Sequence, residues 1–147
     1  MTVKSLTVLA AGAVLFITAP SFARDCGDGI IGDWTTNIGA TMRFEKVDGQ
    51  TGMVSGQYIP ASDPDMSFPL TGFVNPNGKD DSKAHYAVPV SVTVSFGEFG
   101  GITNWSGTCS MTDGKPVIET EDLIIFPMAD YYWSHVVDNH DTLVVKD

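Results

Sequence analysis

Chemistry in this chain would have to come from His85, His135 and His140, from Cys26 and Cys109, or from its 18 aspartates and glutamates. None of these makes a catalytic pattern. The histidines lack metal-ligand spacing, the carboxylates are scattered along turn-rich stretches, and no Ser/His/Asp order stands out. His135 and His140 read as solvated loop residues, and neither an enzyme nor a metal site is expected. Asn104-Trp105-Ser106 has the form of a glycosylation acceptor, relevant only in an organism that glycosylates exported proteins.

Export is itself expected. Lys4 precedes an apolar run, residues 6–19, too short to span a bilayer comfortably, and Ser21-Phe22-Ala23 has the small-x-small form read by signal peptidase. Cleavage after Ala23 would separate a leader, residues 1–23, from one mature domain, residues 24–147, in a secreted or periplasmic setting. An even cysteine count in an oxidising compartment predicts a disulfide between Cys26 and Cys109. Closing a loop of about 83 residues would contribute roughly 4–5 kcal/mol in the chain-entropy account. The formal charge is −10 and includes Lys4. The mature chain therefore carries about −11, which argues against nucleic acid and anionic membranes as partners.

The elements that must position any site are short and β-rich. Strands are predicted at residues 30–36, 40–47, 53–59, 68–74, 86–96, 103–111, 116–126 and 139–146. Tyr86, Val88, Val90, Val92, Val94 and Phe96 alternate with Ala87, Pro89, Ser91, Thr93 and Ser95, so one face is inside and the other wet. Pro89 lacks a ladder donor, which predicts a bulge or a weakly paired stretch there. Asp48-Gly49-Gln50-Thr51-Gly52 and Thr112-Asp113-Gly114-Lys115 read as hairpin turns. Eight strands joined mostly by hairpins suit an all-β, antiparallel up-and-down barrel, about wide enough for one small ligand.

Gly32-Asp33-Trp34 is a Gly-x-Trp pattern shared by several small barrels, in which the Trp plugs one end. Gly39, Ser55-Gly56-Gln57-Tyr58, Pro69-Leu70-Thr71-Gly72, Thr103-Asn104-Trp105-Ser106-Gly107, and Trp133 followed by His140-Asp141-Thr142 then agree in order. Together these resemble the avidin and streptavidin family over nearly the whole mature chain. Cys26 and Cys109 match the intramolecular disulfide of its avian members. The alternatives are a divergent avidin barrel for another small ligand, a lipocalin-like barrel, or a periplasmic protease inhibitor.

The resemblance implies biotin as a ligand, no cofactor, and a homodimer or homotetramer. Biotin's ureido carbonyl would meet Tyr58 and Thr36, with Ala40 where the family has a Ser donor. Asn37, one residue past Thr36, would face the opposite side of its strand. Asp141 stands where the ureido N–H groups need an acceptor, and Thr103 matches the hydroxyl that approaches the ring sulfur. Phe96 and Trp105 take two aromatic wall positions, and Trp133 matches a Trp that a neighbouring subunit contributes. Asp122 replaces the remaining wall Trp, removing on the order of 150–200 Å² of apolar contact, worth roughly 4–5 kcal/mol. Biotin affinity is expected to be weaker than that of typical members. Asp122 should carry a raised pKa from desolvation and should favour donors or positive charge nearby.

Overall fold

A computed structural model describes Cys26, residues 30–77 and residues 85–146. The expected leader lies outside the described residues, as does part of the loop after the fourth strand. Eight strands follow in chain order: β1 (Gly32–Thr35), β2 (Thr41–Val47), β3 (Met53–Ile59), β4 (Phe68–Val74), β5 (Val88–Ser95), β6 (Ile102–Thr112), β7 (Lys115–Ile125) and β8 (Val136–Val145). Each pairs antiparallel with its sequence neighbours, and β8 returns to β1, closing the barrel. Closure pairs both edges of every strand, so none is left as a template for aggregation.

Period-2 patterning decides which side of each strand is inside. Val88, Val90, Val92 and Val94 are at most 3 % exposed, whereas Pro89, Ser91 and Ser95 face out. The end at which the chain enters is sealed by Trp34, Met42, Phe44, Val54, Val74, Ile118 and Leu143, all buried. Trp34 donates its indole N–H to the Ile30 carbonyl at 2.8 Å and meets Phe44 edge-on, so its one polar atom is satisfied. Burying such a ring contributes about 4–6 kcal/mol, at roughly 150–250 Å² of apolar area. The Cys26–Cys109 disulfide, with Cα atoms 5.4 Å apart, ties the entering chain to this end.

Gly107 allows β6 and β7 to approach closely. A Cβ there would lie 1.8 Å from the Glu119 carbonyl oxygen. In the β6–β7 turn Asp113 and Gly114 both have positive φ, at 50° and 77°, as a two-residue hairpin turn requires.

Three expectations need correction. No register shift occurs at Pro89: β5 pairs with β6 without interruption from Val88 to Ser95, and the bulge lies in β2, between Phe44 and Lys46. Pro89 is tolerated because its carbonyl accepts Asn75 N–H at 3.1 Å. Its nitrogen therefore faces the β4 side, just beyond the last β4–β5 pair at Val74 and Val90. The last strand begins at Val136, three residues earlier than expected, because β7 extends far enough to pair Ile125 with it. His140, expected in a loop although the predicted strand 139–146 contains it, is a strand residue. It stands on the outer face of β8 between Glu119 and Glu121, at 3.0 and 3.3 Å, whose hydrogen bonds raise its pKa, Glu119 contributing most.

The connections at residues 36–40, 60–67, 96–101 and 126–135 all lie at the end opposite the Trp34 plug, since alternate loops of an up-and-down barrel share an end. This is the open mouth.

Candidate functional site

The mouth contains a polar corner and an aromatic wall. In the corner, Thr36 directly follows β1 and is buried, and its Oγ1 accepts the Ala40 N–H at 3.1 Å. That bond uses a lone pair, leaving the hydroxyl proton of Thr36 free to donate. Ala40 is fully buried and supplies no side-chain donor. Tyr58, on β3, lies beside Met42 and Phe68 in the register, and its hydroxyl has no hydrogen-bond partner among the described residues. Burial above all, with the nearby charges of Asp141 and Asp122, raises its pKa, so it remains a protonated donor at neutral pH.

Opposite these donors is an acceptor. Asp141 is 4 % exposed on β8, and its Oδ1 takes the backbone N–H of Asn37 at 2.7 Å. The expectation that the Asn37 side chain points away is consistent with its exposure; its backbone, however, latches the β1–β2 loop onto Asp141. The second oxygen of Asp141 receives no hydrogen bond from a described residue. The corner therefore offers hydroxyl donors and a carboxylate acceptor toward the same space, an arrangement suited to a group with a carbonyl oxygen and N–H donors.

The wall is built from Tyr58, Phe96 and Trp105. Tyr58 stacks on Trp105 at 5.6 Å and meets Phe96 edge-on at 5.6 Å, while Phe68 packs on Phe96 at 5.0 Å. Phe96 sits where the chain leaves β5 for a short 3-10 turn, so its ring caps the wall at the mouth. Thr103 is buried on the same face of β6 as Trp105, as their two-residue spacing dictates.

Asp122 lies directly across from Trp105 in the register and is 2 % exposed. Thr120 donates to its Oδ1 at 2.8 Å and Asn139 to its Oδ2 at 3.3 Å. Burial still raises its pKa, with a smaller contribution from Asp141, against the opposing effect of those two donors. Thr120 also contacts the Asp141 carbonyl at 3.3 Å, so one hydroxyl bridges both acidic positions. Thr120 and Asn139 were missed in the sequence, although each lies two residues from a named aspartate and so shares its face. The Trp105 indole N–H is buried without a partner among the described residues.

Trp133 stands apart. It is 64 % exposed in the 126–135 connection, stacked on Tyr131 at 4.9 Å and touched edge-on by Tyr132. Its ring contacts among the described residues are with those two tyrosines and not with the wall of Tyr58, Phe96 and Trp105.

Residues 26–145 match the model of a known family, described as the Avidin family. A comparison with curated protein sequences yields no match. Among solved structures, the biotin binding protein from chicken shares 22 % identity at a TM-score of 0.69, covering 84 % of this chain and all of its own (100 %). Xenavidin shares 21 % identity at 0.65, covering 81 % and 98 %. A rhizavidin–biotin complex shares 22 % at 0.59, covering 77 % and 96 %.

Proposed function

This chain belongs to the avidin family, whose members bind biotin without transforming it, and from that premise we propose that it binds biotin in the open mouth. The observation that carries the reading is the convergence of Asp141, Tyr58 and Thr36. The free oxygen of Asp141 accepts ureido N–H groups, the Tyr58 and Thr36 hydroxyls donate to the ureido carbonyl, and Phe96 and Trp105 enclose the ring, with Thr103 at its sulfur. Preorganised donors and acceptors in a water-poor site hold such a group strongly.

Affinity is lower than in a member with a complete wall and donor set, because Asp122 supplies no ring and Ala40 no hydroxyl. A lost hydrogen bond at Ala40 costs about 1–3 kcal/mol. Biotin–streptavidin, an example of near-limiting affinity, shows how far a site of this type can weaken and still bind. Family membership leaves the lipocalin and protease-inhibitor alternatives without support. Isothermal titration with biotin tests the reading; no heat and no competition at millimolar biotin would refute it.

A homo-oligomer forms part of the proposal. Trp133, Tyr132 and Met128 are at least 64 % exposed, and Ile102, Leu123, Ile125 and Val136 add outward apolar side chains on β6, β7 and β8. A neighbouring copy that covers this surface would bring Trp133 to its partner's mouth, where a single chain has no such ring. Light scattering coupled to gel filtration reads the mass directly, and a monomer would remove this part. Export, with the leader removed after Ala23, completes the proposal and is consistent with the Cys26–Cys109 disulfide.

A further inference from the structure

Carboxylates surround the path from the ureido corner to solvent at two depths. The first is buried. Since β7 runs toward the mouth and β8 away from it, the Asp122–Asn139 pair lies two residues nearer the opening than Thr120–Asp141. That is about 7 Å along the strand. Asp122 and Asp141 are both buried, and no Lys or Arg is among the buried residues described. Of the cationic side chains described, Arg43 is paired with Asp33, Lys146 is bonded to Thr41, and Lys46 and Lys115 are exposed.

The second depth is the rim. Three of the four connections at the mouth carry Asp63, Asp65, Glu98 and Asp130, all exposed, and none of the four has a Lys or Arg. His135 is the one basic type there, and its Nδ1 lies 2.8 Å from the Phe126 carbonyl oxygen. Charges of one sign around a low-dielectric opening focus the field along the route a ligand's tail must take. At the inner depth the charge of the buried Asp122 disfavours a carboxylate tail, whereas a neutral amide or an ammonium group meets no such repulsion.

We infer that the mouth selects ureido-ring ligands by the charge of their tail, taking biotin whose carboxyl group is neutralised in an amide, above all one bearing an ammonium group, in preference to free biotin. This rests on the biotin reading of the corner. It adds Asp122 and the rim carboxylates as determinants of specificity.

The test is titration of the oxidised protein with biotin, biotinamide and the mono-amide of biotin with ethylenediamine, whose tails carry one negative, no and one positive charge. Because burial raises the Asp122 pKa, a mildly alkaline, low-salt buffer is used to favour its ionised form, with Asp141, Tyr58, Thr120, Asn139 and the outer-face His140 as its polar surroundings. The expected order is ammonium amide tightest and free acid weakest. The ends should differ about ten- to hundredfold, as for unit charges several ångströms apart at intermediate dielectric, and should converge in high salt. Asp122→Asn should narrow the spread while all three still bind. A rim variant, D63N/D65N/E98Q/D130N, should narrow it independently. Equal affinities, a preference for free biotin, or a spread that survives both sets of substitutions would overturn the inference and leave biotin binding intact. Failure of all three ligands to bind would refute the biotin reading, and this inference with it.

Discussion

Replacing Asp141 by Asn should separate ligand binding from folding, because the two oxygens of this carboxylate have different partners. Oδ1 holds the Asn37 N–H at 2.7 Å, whereas the other oxygen is the acceptor proposed for biotin. In Asp141→Asn the amide oxygen can keep the Asn37 bond, which turns the NH₂ group toward the ligand. Donor then faces donor. The charge-assisted bond to the ligand, worth about 1.5–3 kcal/mol, is lost, and unsatisfied buried donors cost about 1–3 kcal/mol more. A sum of roughly 3–5 kcal/mol raises Kd by about two to four decades. Stability should change by no more than about 1 kcal/mol, or about 4 °C in Tm, because the loop latch survives. Isothermal titration gives the first quantity and calorimetry of the unliganded protein the second. A Kd changed by less than about fivefold would show that Asp141 is not the ureido acceptor. A Tm loss above about 10 °C would show that its main role is to hold the β1–β2 loop.

Three further outcomes follow from the fold and the site. The double variant Cys26→Ala/Cys109→Ala should lose about 4.5 kcal/mol, the loop-closure entropy for a separation of 83 residues, read as a lower urea midpoint; a loss under about 1 kcal/mol would refute the entropic account. Gly107→Ala should destabilise by about 2 kcal/mol or more, since its Cβ would overlap the Glu119 carbonyl at 1.8 Å and force β6 and β7 apart; an unchanged denaturation midpoint would show that the strands shift freely. Because burial raises the Asp122 pKa, the folded chain keeps that proton to higher pH than the unfolded chain. The resulting penalty on folding is full above the raised value and absent below the ordinary carboxylate range. The stability of Asp122→Asn relative to the parent should therefore rise as pH goes from about 4 to neutral; a difference that does not vary with pH would refute this.

The barrel itself was legible in the sequence, because strand alternation and turn chemistry are local. The valines of β5 show their buried face without reference to any partner, and Asp113-Gly114 specifies its own turn. Parity along one strand likewise placed Thr103 with Trp105, whereas the site positions of Asp122 and Asp141 came from the resemblance to the family. What required the closed barrel was every relation between distant strands. The Asn37 latch on Asp141 spans 104 residues, the Asn139 donor to Asp122 comes from another strand, and the unpartnered Trp105 N–H is visible only once its neighbours surround it. Pro89 was misread for the same reason, since the cost of its missing donor depends on where β4 ends. The rim was the least legible feature. Asp63, Asp65, Glu98 and Asp130 look like scattered turn residues in the sequence, and only barrel closure gathers them around one opening, where their fields add.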